Sequence, residues 1–247
     1  MAVNYLLILG IGHVLGDFYL QNERIARNKE EKYKGVLLHA VEYYIALLLV
    51  TLPVFSADMV LAATYAAIAH LLIDTAKYLL LLKKKVKYSC AVFVIDQGAH
   101  IISILAMAYI MECWNFSIGH VKFIVSISDT FHFDAETIGR WMLSILLIHI
   151  PANIFIQKFL SEYRPKTDSE IIKADNKAGR KIGTVERLIM LIFLSKDQFA
   201  ALGFVLTAKS IARYDKIAKD EKFAEYYLLG TLVSTLYVII CRMLILL

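Results

Sequence analysis

Apolar runs long enough to cross a bilayer recur along this chain, and they constrain its fold more than any other feature. Hydrocarbon offers no partner for a backbone N–H or C=O, so a run of about 20 apolar residues has to become a helix. Such runs occupy residues 3–20, 35–55, 59–82, 88–111, 137–160, 185–214 and 224–247. Composition agrees with this reading. Hydrophobic residues make up 59% of the chain and the mean hydropathy is +0.60, above the roughly 45–50% apolar usage of soluble domains. The expected fold class is all-α, a polytopic transmembrane helical bundle, and 247 residues leave no room for a second, soluble domain.

The charges between the runs give an expected topology. Arg24, Arg27, Lys29, Lys32 and Lys34 follow the first run, and Lys83, Lys84, Lys85 and Lys87 follow the third. By the positive-inside rule both loops face the cytoplasm, which places the N-terminus outside. The net charge of +5 is read as this topology signal, and no nucleic-acid partner is expected. Residues 114–136, with Asp129 and Asp134, form the outer loop, with an interfacial helix or strand near Trp114 and Phe116. Residues 137–160 are a fifth span kinked at Pro151, and 161–184 a basic cytoplasmic loop. Basic residues flank 185–214 on both sides, so this run is either a single span or a re-entrant hairpin turning at Ser195 to Gln198. The bundle then has seven spans, or six plus the hairpin. A last span at 224–247 carries Gly230 and Ser234 at the spacing that lets helices approach closely.

The start of the chain has no basic n-region or small-residue cleavage site, so the first helix is expected to stay. Cys90, Cys113 and Cys241 are odd in number and lack a Cys-x-x-Cys spacing, which argues against a disulfide framework or a thiolate zinc site. Nothing in the sequence decides between a monomer and a homo-oligomer; membrane lipids are the expected surroundings.

Inside the apolar runs lie residues that do not belong in lipid. His13 and Asp17, His70 and Asp74, and Asp96 and His100 each stand four residues apart, so each pair projects from one helix face about a turn apart. Chance placement of 7 His and 11 Asp in this length would give fewer than one such pair. Ionisable groups within spans are costly and mark function or a buried partner. Counted from the cytoplasmic helix ends, His13, Asp17, His39, His70, Asp74, Asp96 and His100 fall at similar depths, so four antiparallel helices can present all seven to one cavity. Imidazole and carboxylate are ligands for zinc, and also for manganese or iron. Seven ligands suit either two metals or one metal with an outer shell. Asp96 and Glu42 are the candidate catalytic carboxylates; for Glu42, pairing with Lys77 is the favoured role, ahead of base or ligand. His149 reads as a packing residue, His120 and His132 as solvated, and Gly12 and Gly16 as points of close helix contact.

Gly12-His13-x-x-x-Asp17-Phe18-x-Leu20-Gln21, Leu38-His39, His70-x-x-x-Asp74 and Asp96-Gln97-x-x-His100 together resemble bacterial integral membrane proteins grouped as domain of unknown function 3307. The resemblance continues through Gly179-Arg180-x-Ile182-Gly183-x-x-Glu186-Arg187, Ala208-Lys209-Ser210-x-x-Arg213 and Glu225-Tyr226-x-Leu228-x-Gly230-Thr231. It implies an integral protein of a bacterial inner membrane and brings no assigned activity. The His and Asp pattern is also loosely similar to membrane-bound proteins described as metal-dependent hydrolases.

The expected function is a membrane-embedded, metal-dependent hydrolase of a lipid or lipid-linked phosphate, reached from the cytoplasmic leaflet. Arg187, Lys209 and Arg213 are the candidate head-group ligands, a fork and point charges for phosphate; an intramolecular Glu–Arg network is the competing role for them. An ion-coupled or metal transporter using the same His and Asp residues as a relay is the alternative function, and a non-catalytic scaffold or sensor a third.

Overall fold

The structure, a computed structural model, describes residues 2–21, 32–84, 89–119, 130, 132, 134–163 and 169–246, with the side chains of 2–3, 83–84 and 169–178 left aside. Arg24, Arg27, Lys29, Lys85, Lys87, His120, Asp129, Arg164 and Lys166 lie outside the described residues or in those gaps. Among the described residues all regular secondary structure is helical, with no strand. The helices are α1 (Ala2–Val14), α2 (Tyr33–Thr51), α3 (Ala57–Lys84), α4 (Cys90–Cys113), α5 (Ala135–Phe159), α6 (Ser169–Ser195), α7 (Phe199–Ile211), α8 (Tyr214–Lys219) and α9 (Glu221–Cys241). Five are long and apolar enough to cross a membrane, Tyr33–Val54, Ala57–Leu82, Cys90–Cys113, Ala135–Phe159 and Glu221–Leu246; Asn4–Leu20 and Phe199–Ile211 are shorter apolar helices.

The chain forms two compact units, Met1–Leu143 and Ser144–Leu247, with the boundary inside α5. In the first unit, buried positions follow one face of each helix at three- and four-residue steps. On α3 this face reads Met59, Ala62, Ala63, Ala66, Ala67, His70, Asp74, and on α4 it reads Asp96, His100, Ile104, Ala108, Met111. Apolar and ionisable groups therefore share one stripe: its outer-numbered half on each helix builds a core with Tyr5, Leu9, Tyr43 and Leu47, and its other half carries the His and Asp residues. The alanines of α3 and the glycines of α1 allow close approach. A Cβ on Gly12 would lie 2.5 Å from Leu47 Cδ2, and one on Gly16 would lie 2.8 Å from Tyr43 Cδ2 and 3.2 Å from its Cα. Isoleucines such as Ile95 and Ile102 face away from the core, 72% and 67% exposed, as lipid-facing side chains do.

The segment after α4 packs back on the α2–α3 turn. Asp58 accepts hydrogen bonds from the Ser117 amide and hydroxyl at 2.8 and 2.7 Å, Ser56 donates to Ser117 O, and Tyr5 donates to Phe116 O. Trp114 to Gly119 thus form an irregular turn, not the interfacial helix or strand expected there. Asp134 caps α5 by accepting from the Thr137 amide and hydroxyl, bonds that hold its carboxyl below the usual range.

The second unit is arranged around a proline and a buried arginine. Pro151 has no N–H for Leu147 O and distorts the next carbonyl, so α5 has two acceptors to satisfy from elsewhere. Tyr237 of α9 donates to Leu147 O, and Arg187 Nε of α6 donates to Ile148 O at 2.6 Å. The remaining Arg187 bonds run to Asn153 Oδ1 at 2.6 Å, to Thr184 and to Ser234. Gly230 meets Leu160 on the same small-residue face of α9, since a Cβ there would lie 3.2 Å from Leu160 Cδ1.

Two readings change here. The basic stretch expected as a loop is helical from Ser169 onward, because Lys, Ala and Glu are good helix formers and no proline follows Pro165 until the chain ends. Polarity by itself does not distinguish coil from helix. His149, expected to pack, is exposed, while its neighbour Ile148 is buried. The turn between α6 and α7 falls at Lys196 and Asp197, where Asp197 has φ 54° and accepts from Arg242 at 2.8 Å. The three cysteines are free.

Candidate metal centre

The first unit gathers all seven His and Asp candidates, from four helices, and buries each to 8% exposure or less. His13 and Asp17 come from the first helix. Asp17 sits in a π-helical turn, Leu15–Leu20, that continues α1; such turns widen the helix locally and recur at functional sites. His39 comes from α2, His70 and Asp74 from α3, and Asp96 and His100 from α4.

His39 Nε2 is 3.1 Å from Asp17 Oδ1, 3.1 Å from His70 Nε2 and 3.7 Å from Asp74 Oδ2. Asp74 Oδ2 is 3.3 Å from His70 Nε2, and Asp74 Oδ1 is 3.7 Å from His100 Nε2. His100 Nε2 is also 3.7 Å from Asp96 Oδ1. Gln97 closes the ring of groups, its Nε2 donating to Asp17 Oδ2 at 2.8 Å and lying 3.4 Å from Asp96 Oδ2. Within this ring two sets of ligand atoms, Asp17 with His39 and His70, and His70 with Asp74 and His100, lie within 4.8 Å of one another. Tetrahedral zinc, with bonds of about 2.0–2.1 Å, spaces neighbouring donors about 3.3 Å apart. The buried clusters can therefore hold a metal ion.

Packing orients the imidazoles. His70 lies between the Tyr43 ring, stacked at 3.7 Å, and the His100 ring, stacked at 4.2 Å. Tyr43 also reaches His13 Nδ1 at 3.4 Å, and the His13 ring is 5.4 Å from that of His100. His39 Nδ1 and His70 Nδ1 have no hydrogen-bond partner among the described residues. The usual carboxylate or carbonyl behind a metal-binding histidine is here replaced by a stack of rings.

Among the described residues, the carboxylates of Asp17, Asp74 and Asp96 share the cluster with the Lys77 ammonium, whose Nζ is 2.7 Å from Asp96 Oδ2 and 3.7 Å from Asp74 Oδ1. Buried carboxylates need cations or protons beside them.

Residues 5–131 match the family model described as Protein of unknown function (DUF3307). The chain belongs to this family. All seven cluster residues, with Tyr43, Lys77 and Gln97, fall inside the matched DUF3307 stretch, whereas Arg187, Lys209 and Arg213 lie beyond it. No curated protein and no solved structure matches the chain.

Three members of the centre escaped the sequence reading as site residues. Tyr43 follows His39 by four residues, a spacing that marks it in retrospect; Gln97 stands beside Asp96. Lys77, expected against Glu42, meets Asp96 and Asp74 instead. Glu42 is half-buried one turn from His39, with Oε2 lacking a hydrogen-bond partner.

The expected head-group ligands are placed otherwise. Arg187 is 2% exposed and makes four hydrogen bonds to protein atoms, leaving it no face for a phosphate. Lys209 is paired with Glu186 at 2.7 Å, and Arg213 is exposed at the start of α8. Of the two roles weighed for this group, Lys209 takes the intramolecular one.

Proposed function

We propose that this protein is a membrane-embedded, metal-dependent hydrolase acting on a lipid or lipid-linked phosphate, with the metal held by the His and Asp residues of α1 to α4. The observation that carries the reading is the convergence of buried imidazole and carboxylate atoms at 3.1–3.7 Å from one another. Zinc fits the His and Asp donors best, and manganese or iron follows. When bound, such an ion supplies a Lewis acid and a water acidified towards neutral pH.

The chain's own groups divide the remaining work. His39, His70, Asp74 and Asp17 hold the ion, His13 and His100 support it, and Tyr43 keeps the His70 ring in place. Asp96 suits the general base: Lys77 holds its Oδ2, while Oδ1 has no hydrogen bond. Asp96 at 7% and Asp17 at 8% are the most exposed of the seven, and Gln97 stands between them, which favours an entrance on that side. A centre set among helices of lipid-facing apolar residues is reached most readily by a substrate carried in the bilayer. In our reading the chain has six spans with a re-entrant hairpin of α6 and α7, lies in the inner membrane with its N-terminus outside, and receives substrate from the cytoplasmic leaflet. A transporter would favour ligands strung along a path; the closed ring of seven groups supports the enzyme.

Elemental analysis of the detergent-purified full chain tests the reading, followed by a panel of lipid phosphates assayed with and without chelator. Stoichiometric metal in the wild type, lost in His70→Ala and Asp74→Asn, with chelator-sensitive phosphate release that falls in a metal-loaded Asp96→Asn, is the expected result. A well-folded wild type that takes up neither zinc nor manganese would sink it.

A further inference from the structure

The contact between the first helix and α4 changes character along its length. Three facing pairs follow one another across it. The His13 and His100 rings have centroids 5.4 Å apart, Gln97 Nε2 donates to Asp17 Oδ2 at 2.8 Å, and the Phe18 and Phe93 rings stand edge-on at 6.4 Å. Residue numbers rise on one helix as they fall on the other, so each pair lies further from the imidazoles than the last. Exposure rises in the same direction. His100 and His13 are 1% and 4% exposed, Asp17 and Phe93 are each 8% exposed, and Phe18 is half-buried. Phe18 also stands edge-on to His13 at 6.4 Å, which holds the aromatic pair against the His and Asp cluster.

We propose that this seam is the substrate track of the centre, and that Phe18 and Phe93 hold the hydrocarbon chain of a phosphate ester whose head group lies by Gln97 and the metal. This rests on the hydrolase reading above and names the groups that would recognise the apolar part of its substrate. An amphipathic molecule matches a seam graded in the same way. A phosphate seeks cations and N–H donors, and the inner end offers the proposed ion and the Gln97 amide. A hydrocarbon chain gains dispersion contacts on rigid aromatic rings, which offer a phosphate no N–H or O–H donor.

The local sequence puts each ring in its place. Phe18 follows Asp17 in the π turn Leu15–Leu20. Phe93 precedes Asp96 by three residues and Gln97 by four, on the buried face of α4. Each ring is therefore carried by a turn that also carries a polar member of the centre, and the chain is set at a fixed distance from the head group. On the α2 side the His70 ring is covered by Tyr43 at 3.7 Å, which favours the α1–α4 seam as the approach.

Alkylphosphonates test the proposal, because they carry a phosphate-like head group on a chain of chosen length and resist hydrolysis. The zinc-loaded full chain in detergent is titrated calorimetrically with methyl-, butyl- and hexylphosphonate, whose chains are too short to draw them into micelles. Affinity should rise with chain length in the wild type, by up to about fourfold per methylene. Phe18→Ala and Phe93→Ala should lose most of that rise while keeping their zinc and their affinity for methylphosphonate. A wild type that binds methylphosphonate with no gain from the chain, or variants that keep the whole gain, would overturn the proposal and leave the metal centre standing. Zinc uptake without binding of any of the three would overturn the phosphate reading together with the track, and no zinc uptake would remove the centre itself. Should Phe93→Ala not fold, Phe18→Ala decides alone, since its half-buried ring is the less costly to remove.

Discussion

Gln97 is the residue on which the reading of the entrance depends. Its amide donates to Asp17 Oδ2 at 2.8 Å and lies 3.4 Å from Asp96 Oδ2, tying α4 to the π turn after α1. Groups that orient metal ligands from behind typically contribute 10–100-fold in affinity. Gln97→Ala should therefore weaken zinc binding by about tenfold, with zinc still bound at the same stoichiometry; competition with a fluorescent chelator reads this out. An unchanged affinity would make Gln97 a surface residue of the entrance. At this scale the sequence was informative for the clustered His and Asp residues and silent for the groups packed around them. A histidine or aspartate in an apolar run announces itself by its cost in lipid. Tyr43 does not, because a tyrosine on a buried helix face reads as core until the ring it stacks on is known.

Among the elements, the contact of α1 with α2 matters most for the site, since Asp17 and His39 face each other across it. Gly12 and Gly16 make that contact possible, and Gly16 is the tighter constraint on backbone because Tyr43 Cα lies 3.2 Å from where its Cβ would be. A flexible side chain can turn aside, but a helix backbone has to move. Gly16→Val should cost about 1–3 kcal/mol of stability by overpacking and should also lower zinc occupancy, because the displacement falls between Asp17 and His39. Thermal unfolding together with elemental analysis measures both; a stable variant with full zinc would show that the two helices shift without opening the site. The spacing Gly12-x-x-x-Gly16 made this contact legible in the sequence. The course of 169–184 was not: a polar run signals exposure, and exposure is compatible with helix or loop alike.

Across the whole molecule, the proposed metal would couple binding to stability and to pH. Zinc at about 100 times its dissociation constant should stabilise the folded protein by about 2.7 kcal/mol, so chelation should lower the melting temperature. His and Asp ligands bind metal only when deprotonated. Affinity should therefore fall as pH falls, with protons taking the ion's place, and it should recover on return to neutral pH. A melting temperature indifferent to both chelator and zinc would argue that protons alone occupy the centre, which is the behaviour of a relay.

By itself, the sequence determined that the chain is helical, with runs long and apolar enough to cross a membrane, because period, length and hydropathy act locally: each apolar run must satisfy its own backbone. It also singled out the ionisable groups that the fold gathers, because their cost in lipid is a property of the run that holds them. Tertiary structure decided the rest. Arg187 looked like a phosphate ligand, and only the fold brought it to the carbonyls released by Pro151. Lys77 looked like the partner of Glu42, and only the packing of α3 on α4 set its ammonium against Asp96. A charge can be read from sequence alone, but its partner depends on which helix faces arrive beside it, and that is settled by close packing between segments far apart in the chain.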